Sequence, residues 1–122
     1  MIKRVILISL TLLIGLIFFK NFSLPVTKQE LFGKYVNTNF NNTSCCVEAP
    51  HIADTLILKA NKSFYSDYFG SGHWNYDGST LELIYSENNK QASFKTTIEK
   101  RFFEEPRIIL NWDLDHYYKK SN

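Results

Sequence analysis

The chain is expected to fold as an all-β domain, an antiparallel meander of about seven or eight short strands closing into a small barrel or half-barrel, behind one N-terminal hydrophobic helix. Three observations lead there. Short stretches in which aromatic and aliphatic residues alternate with polar ones recur along the chain. They are separated by turn-forming Asn, Asp and Gly residues. No window beyond the leader sustains a helical period.

The first element is the leader. Met1-Ile2-Lys3-Arg4 is followed by an uncharged apolar run, Val5 to Phe19, of 15 residues and then by Lys20. A signal-peptide core spans about 7–15 apolar residues and a membrane helix about 17–25. The run lies between the two, and Lys3 and Lys20 extend its reach by snorkelling. The chain after Phe19 (Lys20-Asn21-Phe22-Ser23-Leu24-Pro25) lacks the small-residue pattern of a cleavage site. Residues 1–23 are therefore read as an anchor or signal peptide with its linker, and 24–122 as a single β domain. Lys3 and Arg4 stay on the cytoplasmic side, so the domain faces outward if anchored and is secreted if cleaved. A lipid anchor on cysteine is not expected, because the first cysteine is Cys45.

Charge excludes one class of partner. The chain holds 14 basic and 12 acidic residues, but Lys3, Arg4 and Lys20 belong to the leader. The remainder carries 11 basic and 12 acidic residues, scattered, so no nucleic-acid footprint is present. The 10 Phe, 7 Tyr and 2 Trp suit half-buried pleated surfaces.

Within the domain, Lys28 to Tyr35 reads as a helical turn leading into a first strand, and Asn37 to Ser44 as a loop. Asp54–Lys59 reads as a strand and Ala60–Lys62 as a turn. Ser63–Phe69 reads as a strand, and Gly70-Ser71-Gly72 as a break. His73–Tyr76 places Trp74 and Tyr76 on one face. Asp77-Gly78 is a hairpin signal, and Thr80–Tyr85 sets Leu81, Leu83 and Tyr85 on one face. Glu87–Lys90 turns the chain into Ala92–Ile98. After Glu104-Glu105-Pro106, one long strand is expected, with Ile108, Leu110, Trp112 and Leu114 facing in and Asn111, Asp113 and Asp115 facing out.

Gly33-Lys34-Tyr35, the run Asp54 to Phe64, Gly72-His73-Trp74 and the closing Ile109 to Lys119 together resemble small lipocalin-like exported proteins of bacteroidete-type bacteria. The resemblance implies an antiparallel barrel or half-barrel and no particular activity. At this length the interior has room for Phe and Trp side chains rather than an assured ligand cavity.

Several residue sets are candidates for chemistry. Trp74, Tyr76 and Trp112 form a candidate aromatic ligand platform, set against their ordinary use as core. Vicinal Cys45 and Cys46 suggest a strained, reducible disulfide, or free thiols. With His51, and with Glu48 or Asp54, they suggest zinc or copper ligation, although the spacing matches no recognised site and a fourth ligand is missing. Cys with His51 and Asp54 as a nucleophilic triad is drawn from residues too close in sequence to converge easily. Asn111, Asp113 and Asp115 suggest calcium or acid–base work, against a plain solvated face. His73 and His116 adjoin aromatics. No phosphate loop, HExxH, GxSxG or paired CxxC motif is present. A non-enzymatic binding or interaction module without a cofactor is the expectation. Its partner is the membrane through the leader, together with a small apolar ligand or an envelope protein. A thiol-dependent redox or metal-handling protein is the alternative.

Overall fold

The computed structural model describes residues 1–21, 23–42 and 49–121. Helix α1 (Ile2–Asn21) is followed by a short helix α2 (Lys28–Leu31) and eight strands: β1 (Gly33–Thr38), β2 (Thr55–Leu58), β3 (Ser63–Ser66), β4 (Gly70–Tyr76), β5 (Thr80–Glu87), β6 (Lys90–Glu99), β7 (Arg107–Asn111) and β8 (His116–Ser121). A single-turn 3-10 helix covers Phe40–Asn42. Each strand pairs antiparallel with the next, and β1 pairs with β8 from Lys34↔Ser121 to Thr38↔Tyr117, which closes the barrel. Among the described residues, closure leaves no free strand edge to recruit another chain.

Alternation sets the inward face. Leu56 and Leu58, Trp74 and Tyr76, and Leu81 and Leu83 are buried, while their neighbours are half-buried or exposed. With Tyr35, Phe64, Phe69, Ile108 and Tyr118 they form one core. Eight strands leave an interior that side chains just fill, and here large aromatics occupy it.

Turn chemistry fixes the register. Asp77 Oδ1 accepts from the amides of Ser79 (2.9 Å) and Thr80 (2.7 Å), an Asx arrangement that starts the β4–β5 hairpin. These bonds hold its carboxyl below the usual range. Asn88 and Asn89 both take positive φ (52° and 61°) between β5 and β6, the conformation that matches strand twist and favours Asn.

Three sequence expectations are corrected. Gly70-Ser71-Gly72 is not a break but the start of β4, and β3 stops at Ser66. The closing run is two strands, not one. Asn111 Oδ1 accepts from the amides of Asp113 (3.0 Å) and Leu114 (3.3 Å), and this local capture turns the chain out of β7. Trp112 consequently sits in the β7–β8 turn, 60 % exposed, instead of beside Ile108 in the core.

Candidate interaction surface at the far mouth of the barrel

The meander gives the barrel two unlike ends. The near end receives the chain from α1 and carries the β2–β3, β4–β5 and β6–β7 turns. The far end carries the long β1–β2 connection and the β3–β4, β5–β6 and β7–β8 turns.

The near mouth is plugged. Thr27 and Glu30 form a capping box that starts α2, satisfying amides at the helix start. The turn drives Leu31 into the barrel, fully buried, with Val26 beside it. The Tyr35 hydroxyl donates to Leu31 O, and the Tyr76 hydroxyl to Val26 O at 2.9 Å. Glu30 pairs with Lys100 at 3.1 Å, which holds its carboxyl below the ordinary value. Trp74 and Tyr76 therefore belong to the packed interior. Trp74 is 2 % exposed and its indole N–H donates to Lys59 O at 2.9 Å. The expected platform is split: Trp74 and Tyr76 lie inside, and Trp112 lies on the far rim.

Under the far mouth runs a buried polar brace. The Tyr118 hydroxyl (β8) donates to Asp54 Oδ2, and the Asp67 amide donates to Asp54 Oδ1 at 3.1 Å. The Asp54 amide donates to Asn37 Oδ1 (2.7 Å), and Asn37 Nδ2 donates to Ile52 O (2.8 Å). Burial first, and the Asp54 bond second, push the Tyr118 phenol up. Strands β1 and β8 and the end of β3 are thus tied to the returning limb of the β1–β2 connection. This brace was not legible in the sequence, because Asp54 and Tyr118 read there as a strand start and a strand end 64 residues apart.

His116 is fully buried at the same end of β8, and neither ring nitrogen has a hydrogen-bond partner among the described residues. Burial first, and the neighbouring His51 imidazole second, lower its pKa.

The rim itself is apolar and acidic. Ile52 is 74 % exposed and Tyr68 46 %. A cleft of ≈ 210 Å³ is lined by Tyr68, Phe69, Tyr85, Ser86 and Glu87. Its aromatic wall is continuous, with ring centroids 4.8 Å apart for Tyr68–Phe69, 5.4 Å for Phe69–Tyr85 and 5.5 Å for Phe69–Phe94. Among the described residues the far turns expose four acidic side chains, Asp67, Glu87, Asp113 and Asp115, against Lys90 and His51. The Tyr68–Phe69 pair is hidden in the sequence, where the alternation of Ser63–Phe69 makes it look like the end of a strand.

Cys45, Cys46 and Glu48 lie outside the described residues. His51 is exposed at the far end. Among the described residues no group of three His, Cys, Asp or Glu side chains is placed to hold a metal ion. Asp113 and Asp115 are exposed in the β7–β8 turn, and His73 is exposed on the wall of β4.

The chain matches no family model, and neither a curated protein nor a solved structure matches it. What defines the class is the architecture: a closed eight-stranded antiparallel meander barrel carrying an N-terminal apolar helix. That helix is long and apolar enough over Ile2–Phe19 to cross a membrane, a property it shares with signal sequences.

Proposed function

We propose that the protein is a barrel module held at the outer face of a membrane by α1, and that its far mouth binds an envelope protein. The observation that carries this reading is the asymmetry of the two mouths. The near one is sealed by Val26 and Leu31 and joined to the apolar helix. The far one presents Ile52, Tyr68 and Trp112 to solvent. Exposed apolar groups rimmed by charge are a common property of interaction sites, and aromatic residues supply much of the energy at such sites. Lys3 and Arg4 in the first turn of α1 support an outward-facing domain. The filled interior favours a partner docking on the rim over an apolar ligand inside the barrel. The acidic turns favour a partner whose contact face is basic.

The test is to purify the full-length chain from membranes of its natural type of host and weigh the native complex. Bound partner mass is expected for the parent chain and for Lys95→Ser on the barrel wall. It is expected to be lost in the Ile52→Ser, Trp112→Ala double variant. Partner retained by that double variant, with the fold intact, overturns the proposal.

A further inference from the structure

We propose that the β6–β7 turn is a second membrane contact, with Phe102 and Phe103 seated in the interfacial layer of the bilayer beside the end of α1. The inference rests on the anchor reading above and adds a surface to it.

Covalent reach is the first ground. At 1.5 Å per residue the 18-residue apolar span Ile2–Phe19 of α1 is about 27 Å long, close to the roughly 30 Å hydrocarbon core of a bilayer, with Lys3 and Arg4 at its start reaching the headgroups. A spanning α1 therefore delivers Asn21 to the outer boundary of that core. Three residues later, the Leu24 amide donates to Lys100 O at 2.7 Å. Consecutive Cα atoms lie about 3.8 Å apart, so Leu24 is within about 11 Å of Asn21. The headgroup layer on each side is roughly 5–8 Å deep. The start of the β6–β7 turn is thus confined to the membrane surface or just above it.

Direct contact is the second ground. The Phe102 ring meets the Phe19 ring edge to face, with centroids 5.9 Å apart, and Phe103 packs against Phe102 at 4.2 Å. Phe19 belongs to the apolar span itself. Phe103 is 95 % exposed and takes a positive φ of 64°, a conformation that is unusual for a bulky residue and is seldom held without purpose. Among the described residues, only the Phe102 ring stacks on it. Aromatic rings that are apolar in body suit the boundary between headgroups and acyl chains.

The turn is also stiff enough to act as a foot. At its base Glu99 Oε1 accepts from Arg101 Nε and Arg107 Nη2, both at 2.6 Å. The Glu104 amide closes onto Arg101 O at 3.1 Å. Around it the near end exposes Lys28, Lys34, Lys59, Lys62 and Arg101 against Asp77, Glu104 and Glu105, an excess of cations that favours an anionic headgroup layer. Two attachments on one end, the helix and the foot, hold the barrel with its far mouth turned away from the bilayer.

The experiment uses the full-length chain with Phe103→Trp, reconstituted into phosphatidylcholine vesicles with and without lipids brominated on the acyl chain near the headgroup. The parent chain, with Trp74 and Trp112, supplies the background, and Ile52→Trp marks the far end. Buried Trp74 emission reports that each variant is folded. The expected result is a blue-shifted extra emission from the Phe103→Trp variant that brominated lipid quenches, while the extra emission from the Ile52→Trp variant is not quenched. Extra emission from Phe103→Trp that stays at the water position and is unquenched, in protein that resists carbonate extraction, overturns the foot and leaves the anchor standing. Protein released by carbonate overturns both.

Discussion

Tyr118 and Asp54 meet inside the barrel, the hydroxyl of β8 donating to the carboxylate at the start of β2. Both residues are buried, and the Asp54 carboxylate also accepts from the Asp67 amide. Hydrogen bonds to charged groups contribute about 1.5–3 kcal/mol, and a buried acceptor left unpaired is costly. Tyr118→Phe keeps the ring and removes the donor. Urea unfolding is expected to show a midpoint lowered by a loss of about 1.5–3 kcal/mol with the slope unchanged. An unmoved midpoint would show that the bond contributes nothing.

His116 makes stability depend on pH. Its pKa is lowered from 6.5 in the folded chain, by burial first and His51 second. The unfolded chain therefore binds a proton more readily than the folded one as pH falls below 6.5. Stability is full above that value and declines as pH drops toward the folded pKa, a loss to be read by comparing unfolding at about pH 7 and about pH 5. His116→Phe removes the titration and the two unpartnered nitrogens. The variant is expected to lose less stability than the parent between the two pH values. Equal losses would contradict the assignment.

Gly72 stands where β4 passes close to the β5 backbone and the Phe64 ring. A Cβ there would lie 1.9 Å from Ile84 O and 2.9 Å from Phe64 Cε1. Backbone cannot yield as a side-chain tip does, so Gly72→Ala is expected to cost more than the about 1–3 kcal/mol of ordinary overpacking and to yield little folded protein. Circular dichroism and expression level check this. Gly78→Ala is the milder comparison: it has open space and only its positive φ of 102° to oppose it.

Leu31 tests the plug. Its side chain is fully buried at the near mouth, and Leu31→Ala is expected to destabilise by about 2–5 kcal/mol. Phe103→Ser, on the exposed turn, is expected to stay within about 0.5 kcal/mol in detergent solution. Similar effects of the two substitutions in urea unfolding would contradict the difference in their burial.

The strands were readable where alternation alone decides the face. Leu56 and Leu58, Trp74 and Tyr76, and Leu81 and Leu83 all point inward as their spacing requires. The same rule failed at Ile108–Leu114, because a side-chain carbonyl at Asn111 outcompeted the strand ladder for two amides. It failed again at Gly70–Gly72, where Gly72 marks close approach of β5 and not a turn. Alternation assigns faces but not partners. The run of short strands points to a barrel or half-barrel, and the barrel is closed; the β1–β8 register that closes it, the Leu31 plug and the Asp54–Tyr118 brace emerge only in three dimensions. The rim was legible only in part: Trp112 was singled out, but as a residue grouped with Trp74, which lies inside the barrel while Trp112 stands on its edge.

The central claim is that the far mouth is the binding surface, and site-specific photocrosslinking in intact cells tests it most directly. A photoreactive residue would be placed in turn at Ile52, Tyr68 and Trp112 on the far mouth, at Lys95 on the wall, and at Gly78 on the near end. A discrete protein adduct is expected from the three far positions and from none of the others. Adducts confined to the wall or the near end, with the far positions silent, would contradict it.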